Sequence, residues 1–201
     1  MTDFFAVLGL ERRPWLEPDV IKEAFHQQSL AVHPDRVHGA DEITRRTAEE
    51  RYAMLNAAQQ CLREPKERLL HLVQLERGRK PGDMRSLPEG LMQLFGDVNT
   101  VLRASEKVMH QRQAATSALL RAQTLQAALP LLQQMESLQS QLQARRDALL
   151  TEARAADSTW RTVSPTDREV TLDAIEGLYH QFGFVDRWLG QLRERTVQLT
   201  L

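Results

Sequence analysis

A histidine, an aspartate and an arginine lie within four positions of one another, at His33, Asp35 and Arg36, with Pro34 between the first two. An imidazole, a carboxylate and a guanidinium this close could transfer protons, bind a metal ion or make charged contacts with another protein. Pro34 lacks a backbone N–H and disfavours helical dihedrals at the residue before it, so we expect the preceding helix to end at about Val32. The polar side chains are therefore predicted to lie in an exposed turn before the next helix.

The rest of the sequence offers little support for catalysis or metal binding. It has no Gly-rich phosphate loop, no G-x-S-x-G or H-E-x-x-H motif, and a single cysteine, Cys61. The closest histidines, His33 and His38, have no cysteine near them, which disfavours a tetrahedral metal site. Cys61 lies near the apolar stripe of a predicted helix, where a buried thiol is favoured over a nucleophile. We predict no catalytic residue, no metal site and no cofactor, and a protein that is not an enzyme.

The composition is that of a folded globular protein. The 201 residues are 42% apolar, which suffices for one large or two small domains with hydrophobic cores. Lys and Arg total 26 against 27 Asp and Glu, so the chain lacks the basic excess of a nucleic-acid binder. The start of the chain lacks signal-peptide features, and no apolar stretch approaches the roughly 20 residues that cross a bilayer. With the lone cysteine, these features predict a cytoplasmic protein that binds neither nucleic acid nor membrane.

The first 76 residues predict four helices. Asp3 can cap a short first helix that stops at Gly9, and Pro18 opens a second helix. A third helix is expected to end at about residue 63, and a fourth to run from residue 66 to about 76. Glycine, proline and charged residues then predict a linker over residues 77–86.

The second half predicts a helical bundle over residues 87–201. Apolar residues at three- and four-residue steps run along a helix that begins near Pro88 and could extend as far as Leu125. Pro130 is expected to separate this helix from the next one, and residues 157–166 are expected to form a loop before a last helix. Sustained strand patterns are absent from the sequence. Three long helices with short connections predict an antiparallel three-helix bundle, and the whole chain is predicted to be all-α.

The first half resembles a J-domain, because a short helix, an antiparallel helix pair and a closing helix surround His33-Pro34-Asp35 in the order of that family. The segments that carry the resemblance, over about residues 1–76, are Phe5-Ala6-Val7-Leu8-Gly9-Leu10, Ala24-Phe25, Val32-His33-Pro34-Asp35-Arg36, Leu55-Asn56-Ala57-Ala58 and Leu62-Arg63-Glu64-Pro65. Val32 and Arg36 are most similar to the HscB branch, the co-chaperones of iron–sulfur cluster assembly. That branch has a C-terminal three-helix bundle, which agrees with the prediction for residues 87–201.

The resemblance implies that the His33 turn engages the ATPase domain of a DnaK-class chaperone, of the HscA type, and stimulates ATP hydrolysis. Asp35 can accept charge-assisted hydrogen bonds from an arginine or lysine of that partner. The residues of the implied contact surface are His33, Pro34, Asp35, Arg36, Lys22 and His26. Gln27, Gln28 and Gln59 depart from the residues that many J-domains have at these positions, which leaves the choice of ATPase partner open.

In the bundle, the resemblance implies an exposed apolar patch of Leu91, Met92, Phe95 and Phe184 that binds an IscU-type scaffold protein. The alternative is that these residues belong to the core of the bundle. Adjacent helical residues point about 100° apart, so Leu91 and Met92 cannot both lie at the centre of one stripe, which favours exposure of one of them. An alternative function is a J-domain joined to an unrelated helical client adaptor, which keeps the DnaK-class partner but not the scaffold.

Overall fold

The computed structural model describes residues 1–30, 32, 41–82 and 88–200, and within these ranges the regular elements are all helical. The predicted all-α fold is confirmed. The helices are α1 (Phe4–Leu8), α2 (Pro18–Ser29), α3 (Glu42–Arg63), α4 (Pro65–Arg77), α5 (Glu89–Gln113), α6 (Ala118–Thr162) and α7 (Arg168–Thr200), with a 3-10 turn at Pro165–Asp167.

The chain divides into two compact units. The first comprises residues 1–82 and 150–180, and the second comprises residues 83–149 and 181–201. The long helices α6 and α7 therefore each contribute residues to both units. The division into a domain at 1–76, a linker at 77–86 and a bundle at 87–201 stays a prediction.

Residues at the helix ends determine where α1 and α2 begin and where α1 ends. The Asp3 carboxylate accepts hydrogen bonds from the backbone N–H groups of Phe5 and Ala6, at 3.0 and 3.2 Å, and so caps α1. Gly9 ends that helix at a φ of +69°, a left-handed conformation that favours glycine. Pro18 occupies the first turn of α2, as predicted, but the helix ends at Ser29 rather than near residue 32.

Residues 150–180 complete the first unit through polar contacts with its N-terminal part. The Arg13 guanidinium pairs with the Asp157 carboxylate, with Nε to Oδ1 at 3.0 Å, and the Trp160 indole donates to the Arg12 carbonyl at 2.8 Å. Farther along, the Arg77 guanidinium contacts three carboxylates of α7. These belong to Glu169, Asp173 and Glu176.

Two predicted breaks in the bundle are wrong. The predicted loop at residues 157–166 starts too early, because α6 continues to Thr162. Asp157 and Trp160 are buried in the first unit, and their contacts hold this last part of the helix. Pro130 lies inside α6 instead of ending a helix. Its ring is exposed, while Ala128 and Met135 on either side of it are buried and anchor the helix.

The buried His71 makes the stability of the first unit depend on pH. Its Nε2 accepts a hydrogen bond from the Phe4 N–H at 3.0 Å, and its ring stacks on Phe5 with centroids 5.7 Å apart. Burial lowers the pKa of His71 below the unfolded value of about 6.5, because the charged imidazolium would lose this bond and lack solvent. Below about pH 6.5 the unfolded chain then binds more protons than the folded one, so acid destabilises the fold.

We therefore expect the melting temperature to fall as the pH drops from 7 to 5, and to fall less steeply in His71→Gln, which keeps an acceptor but does not titrate. Thermal unfolding followed by circular dichroism at several pH values measures both slopes. Equal slopes would contradict a titrating role for His71.

Candidate functional site

The structure places Lys22 and His26 on one exposed face of α2. They are four residues apart, which makes them neighbours on the helix surface. Together with Asp19 and Glu23 on α2 and Gln59 on α3, they line an open groove. This surface therefore places Lys22 and His26 beside two carboxylates.

The remaining residues of the predicted chaperone contact lie outside the described residues. These are His33, Pro34, Asp35 and Arg36. The structure describes the helices on either side of this segment: α2, which ends at Ser29, and α3, which is capped by Asp41. The Asp41 carboxylate accepts from the Thr44 N–H at 2.9 Å, and this contact holds the pKa of Asp41 below its usual value.

Contacts with α1 and α3 fix the position of α2. Phe25 of α2 lies against Tyr52 of α3, with ring centroids 6.2 Å apart. The Ser29 hydroxyl donates to the His26 carbonyl at 3.0 Å and satisfies an acceptor at the end of α2. Gln28 lies 3.5 Å from the place where a Cβ on Gly9 would be. The Gln28 side chain therefore lies close to Gly9 at the end of α1.

In the second unit, the structure separates the four residues of the predicted scaffold site. Met92 and Phe95 on α5 are 52% and 41% exposed, and Phe184 on α7 is half-buried. Leu91 is only 1% exposed. Its inclusion in an exposed patch is wrong, because the 100° step between neighbouring helical residues turns it into the core while Met92 faces solvent.

Trp188, which the sequence did not single out, packs against Phe95 and Phe184. Trp188 is almost fully buried, and its ring centroid lies 5.9 Å from that of Phe95 and 5.7 Å from that of Phe184. The Arg187 guanidinium lies 5.0 Å from the Phe184 ring centroid. We call Met92, Phe95 and Phe184 the α5–α7 patch. The signal for Trp188 was its place one helical turn after Phe184.

Three other features were sought among the described residues: a metal-binding cluster, a reactive thiol and a membrane-spanning helix. Among them, no group of three or more His, Cys, Asp or Glu side chains is placed to hold a metal ion. Burial raises the pKa of the Cys61 thiol to about 11, so at neutral pH this side chain is a protonated thiol and not an activated nucleophile. None of the helices described is long and apolar enough to cross a membrane.

Comparison with known proteins agrees with this geometry. The family model of the DnaJ domain matches residues 3–71. The chaperone HscB from Vibrio cholerae superimposes with a TM-score of 0.51 at 17% identity, covering 95% of this chain and 99% of that one. The human co-chaperone protein HscB superimposes with a TM-score of 0.60 at 16% identity, covering 98% of this chain and 81% of that one. The chain therefore carries an N-terminal DnaJ domain, followed by a helical region, in a fold that is shared with HscB co-chaperones.

Proposed function

We propose that this protein is a co-chaperone that stimulates ATP hydrolysis by a DnaK-class chaperone, of the HscA type, and delivers an iron–sulfur cluster scaffold protein of the IscU type to it. The observation that carries the proposal is an exposed Met and Phe patch, backed by a buried tryptophan, in a chain that also has a DnaJ domain. The hydrolysis takes place on the partner, and the protein itself is expected to hydrolyse no ATP. We place this activity in the cytoplasm.

On the chaperone side, we propose that Asp35 and Arg36 make charged contacts with the ATPase, and that Lys22 and His26 extend this surface along α2. The exposed positions of Lys22 and His26 support their part in the contact. Asp19 and Glu23, which lie beside them, make the surface selective, because a partner must offer both signs of charge in the matching order.

On the scaffold side, the α5–α7 patch has the composition of an interaction hot spot. Methionine and aromatic side chains are enriched at the buried centres of protein interfaces. Trp188 beneath the patch restricts the rings of Phe95 and Phe184, so less side-chain freedom is lost when a partner binds. Arg187 at the edge adds a cation for a carboxylate at the rim of the partner.

The proposal is tested by the ATPase turnover of a DnaK-type and an HscA-type chaperone, each with and without this protein and an IscU-type scaffold. We expect the protein to stimulate the HscA-type partner, and the scaffold to increase that stimulation synergistically. Stimulation of the DnaK-type partner alone, without any effect of the scaffold, would overturn the scaffold part and favour an adaptor for another client. The absence of stimulation for both chaperones would overturn the whole proposal.

Phe95→Ala is expected to weaken the binding of the scaffold about tenfold or more, since the loss of a central aromatic at an interface typically costs about 2 kcal/mol. The measurement is isothermal titration of the scaffold into the full chain. Val170→Ala is the matched control, because Val170 is 79% exposed in the other compact unit. Phe95→Ala should still stimulate the ATPase when the scaffold is absent. Unchanged affinity in Phe95→Ala, with intact helical content, would contradict the role of the patch.

A further inference from the structure

Helices α5 and α7 continue side by side from the α5–α7 patch. At the patch, the ring centroids of Phe95 and Trp188 lie 5.9 Å apart. Farther along, the Arg195 Nη1 lies 3.3 Å from the Met109 Sδ. Later residues of α5 thus contact later residues of α7, so the two helices run in the same direction. Arg103 lies between the two contacting residues of α5, on the stretch of that helix that packs along α7.

Arg103 is exposed and shares a face of α5 with the patch. It follows Met92 by eleven residues, so at about 100° per residue the two side chains point within about 20° of each other. It follows Phe95 by eight residues, which corresponds to about 12 Å along the helix. A typical interface buries about 800 Å² on each partner, the area of a disc of roughly 16 Å radius. A partner centred on Phe95 therefore reaches Arg103.

No large side chain rises between the patch and Arg103 on this face. Gly96 has no side chain, and nothing lies within 4 Å of the place where its Cβ would be. The Asn99 amide donates to the Phe95 carbonyl at 2.9 Å, which holds it against the helix backbone. One element of a partner can therefore contact Phe95 and Arg103 together.

A second cation borders the patch on α7. Arg187 is exposed, and its guanidinium carbon lies 5.0 Å from the Phe184 ring centroid. Arg187 directly precedes Trp188, which contacts Phe95, so it lies about level with Phe95 along the helices. With helix axes about 9 Å apart and about 12 Å along α5, the positions of the two arginines are roughly 15 Å apart.

Both arginines lack a carboxylate partner within the part of the chain that the structure describes. The carboxylate next to Arg187 in the sequence, Asp186, is instead bound by Arg146 of α6, with Nε to Oδ1 at 2.9 Å. Asp97 of α5 lines a groove with α6, on the side of α5 away from Met92 and Phe95. The two cations are therefore available to carboxylates of a partner.

The next carboxylates along the two helices lie farther from the patch. Glu106 follows Arg103 by three residues, and Glu194 follows Arg187 by seven. At a rise of about 1.5 Å per residue, they lie about 5 and 10 Å beyond the arginines. Among the described side chains, the unpaired charges nearest to the patch are therefore positive.

We propose, on the basis of the function proposed above, that Arg103 and Arg187 select the scaffold, and that its docking surface has an apolar centre flanked by carboxylates roughly 15 Å apart. Arginine is enriched at protein interfaces, and its planar fork binds a carboxylate through two hydrogen bonds. Charges at the rim of an interface mainly raise the association rate and disfavour partners of like charge. A basic surface is therefore rejected even where its apolar centre fits the patch.

The test is surface plasmon resonance of an IscU-type scaffold on the immobilised full chain, which measures association and dissociation separately. We expect Arg103→Gln combined with Arg187→Gln to slow association at least about fivefold in 0.05 M NaCl, and to change dissociation less than about twofold. Arg103→Glu combined with Arg187→Glu should slow association at least about fivefold more. In 0.5 M NaCl the screening length is about 4 Å, so wild type and both variants should associate at similar rates.

Arg193→Gln is the matched control, because Arg193 is an exposed arginine of α7 that points about 180° away from Phe184. It should change the association rate less than about twofold. If the scaffold binds wild type and both double variants equally fast, this inference is overturned while the proposed function stands. Faster association of the glutamate variant would also overturn it, because the partner surface would then be basic. A scaffold that does not bind wild type would overturn the proposed function and this inference with it.

Discussion

Asp35→Asn is expected to abolish the stimulation of a DnaK-class ATPase by this protein while leaving its fold intact. The substitution keeps the size of the side chain but replaces a carboxylate that accepts charge-assisted hydrogen bonds with a neutral amide. A hydrogen bond to a charged group contributes about 1.5–3 kcal/mol, so the loss of one or two weakens the functional contact by tenfold to more than a hundredfold. Asp35 follows Pro34 in a segment that the sequence predicts to be an exposed turn, so we expect the substitution to leave the core unchanged.

The measurement is single-turnover ATP hydrolysis by the chaperone at increasing concentrations of wild type and variant. Asp97→Asn is the matched control, since it removes the same charge at an exposed position of α5. We expect the control to stimulate like wild type and Asp35→Asn to give the basal rate. Full stimulation by Asp35→Asn would show that the predicted contact surface is not the one that acts on the ATPase.

The helices of the first unit could be predicted because their boundaries depend on neighbouring residues. The Asp3 cap and the left-handed Gly9 lie within a few positions of the helix that they delimit, and Pro18 begins α2 itself. The continuation of α6 through residue 157 could not be predicted in this way. Asp157 is held by Arg13, which is far from it in the sequence, and no local pattern encodes that ion pair.

The candidate sites, like the helices, could be predicted only in part from the sequence. Helical geometry required that Leu91 and Met92 have different environments, and the structure shows which one is buried. Which residues lie beneath the exposed ones depends on how α5 and α7 pack. The contact of Phe95 with Trp188 joins two helices that are distant in the sequence, so it needed the structure. The mixed charge of the α2 surface, by contrast, follows from the three- and four-residue spacing of Asp19, Lys22 and Glu23, whereas the approach of Gln59 of α3 to them needed the structure.

The burial of Arg68 is another feature that the sequence pattern does not predict. Arginine is rarely buried unless partners surround its charge, and the partners of Arg68 come from other parts of the chain. It is 2% exposed, and burial lowers its pKa to about 10, so it stays charged at neutral pH. Its Nε donates to the Pro14 carbonyl at 2.9 Å and its Nη1 to the Leu62 carbonyl at 2.6 Å. The guanidinium carbon lies 5.1 Å from the centroid of the Trp15 ring. Arg68 therefore connects α4 to the end of α3 and to the loop before α2.

Arg68→Ala is expected to lower the free energy of unfolding by about 3 kcal/mol or more, because two buried carbonyls lose their donors and a cavity forms beside Trp15. Arg68→Met fills most of this cavity but restores no donor, so its loss should be smaller, about 2 kcal/mol. Urea denaturation followed by circular dichroism measures both values. Arg51→Ala, at an exposed position of α3, is the control and should stay within about 0.5 kcal/mol of wild type. Equal destabilisation of Arg68→Ala and Arg68→Met would show that the lost hydrogen bonds alone account for the effect. If neither variant were destabilised, the stability of the fold would not depend on the hydrogen bonds from Arg68 to the two carbonyls.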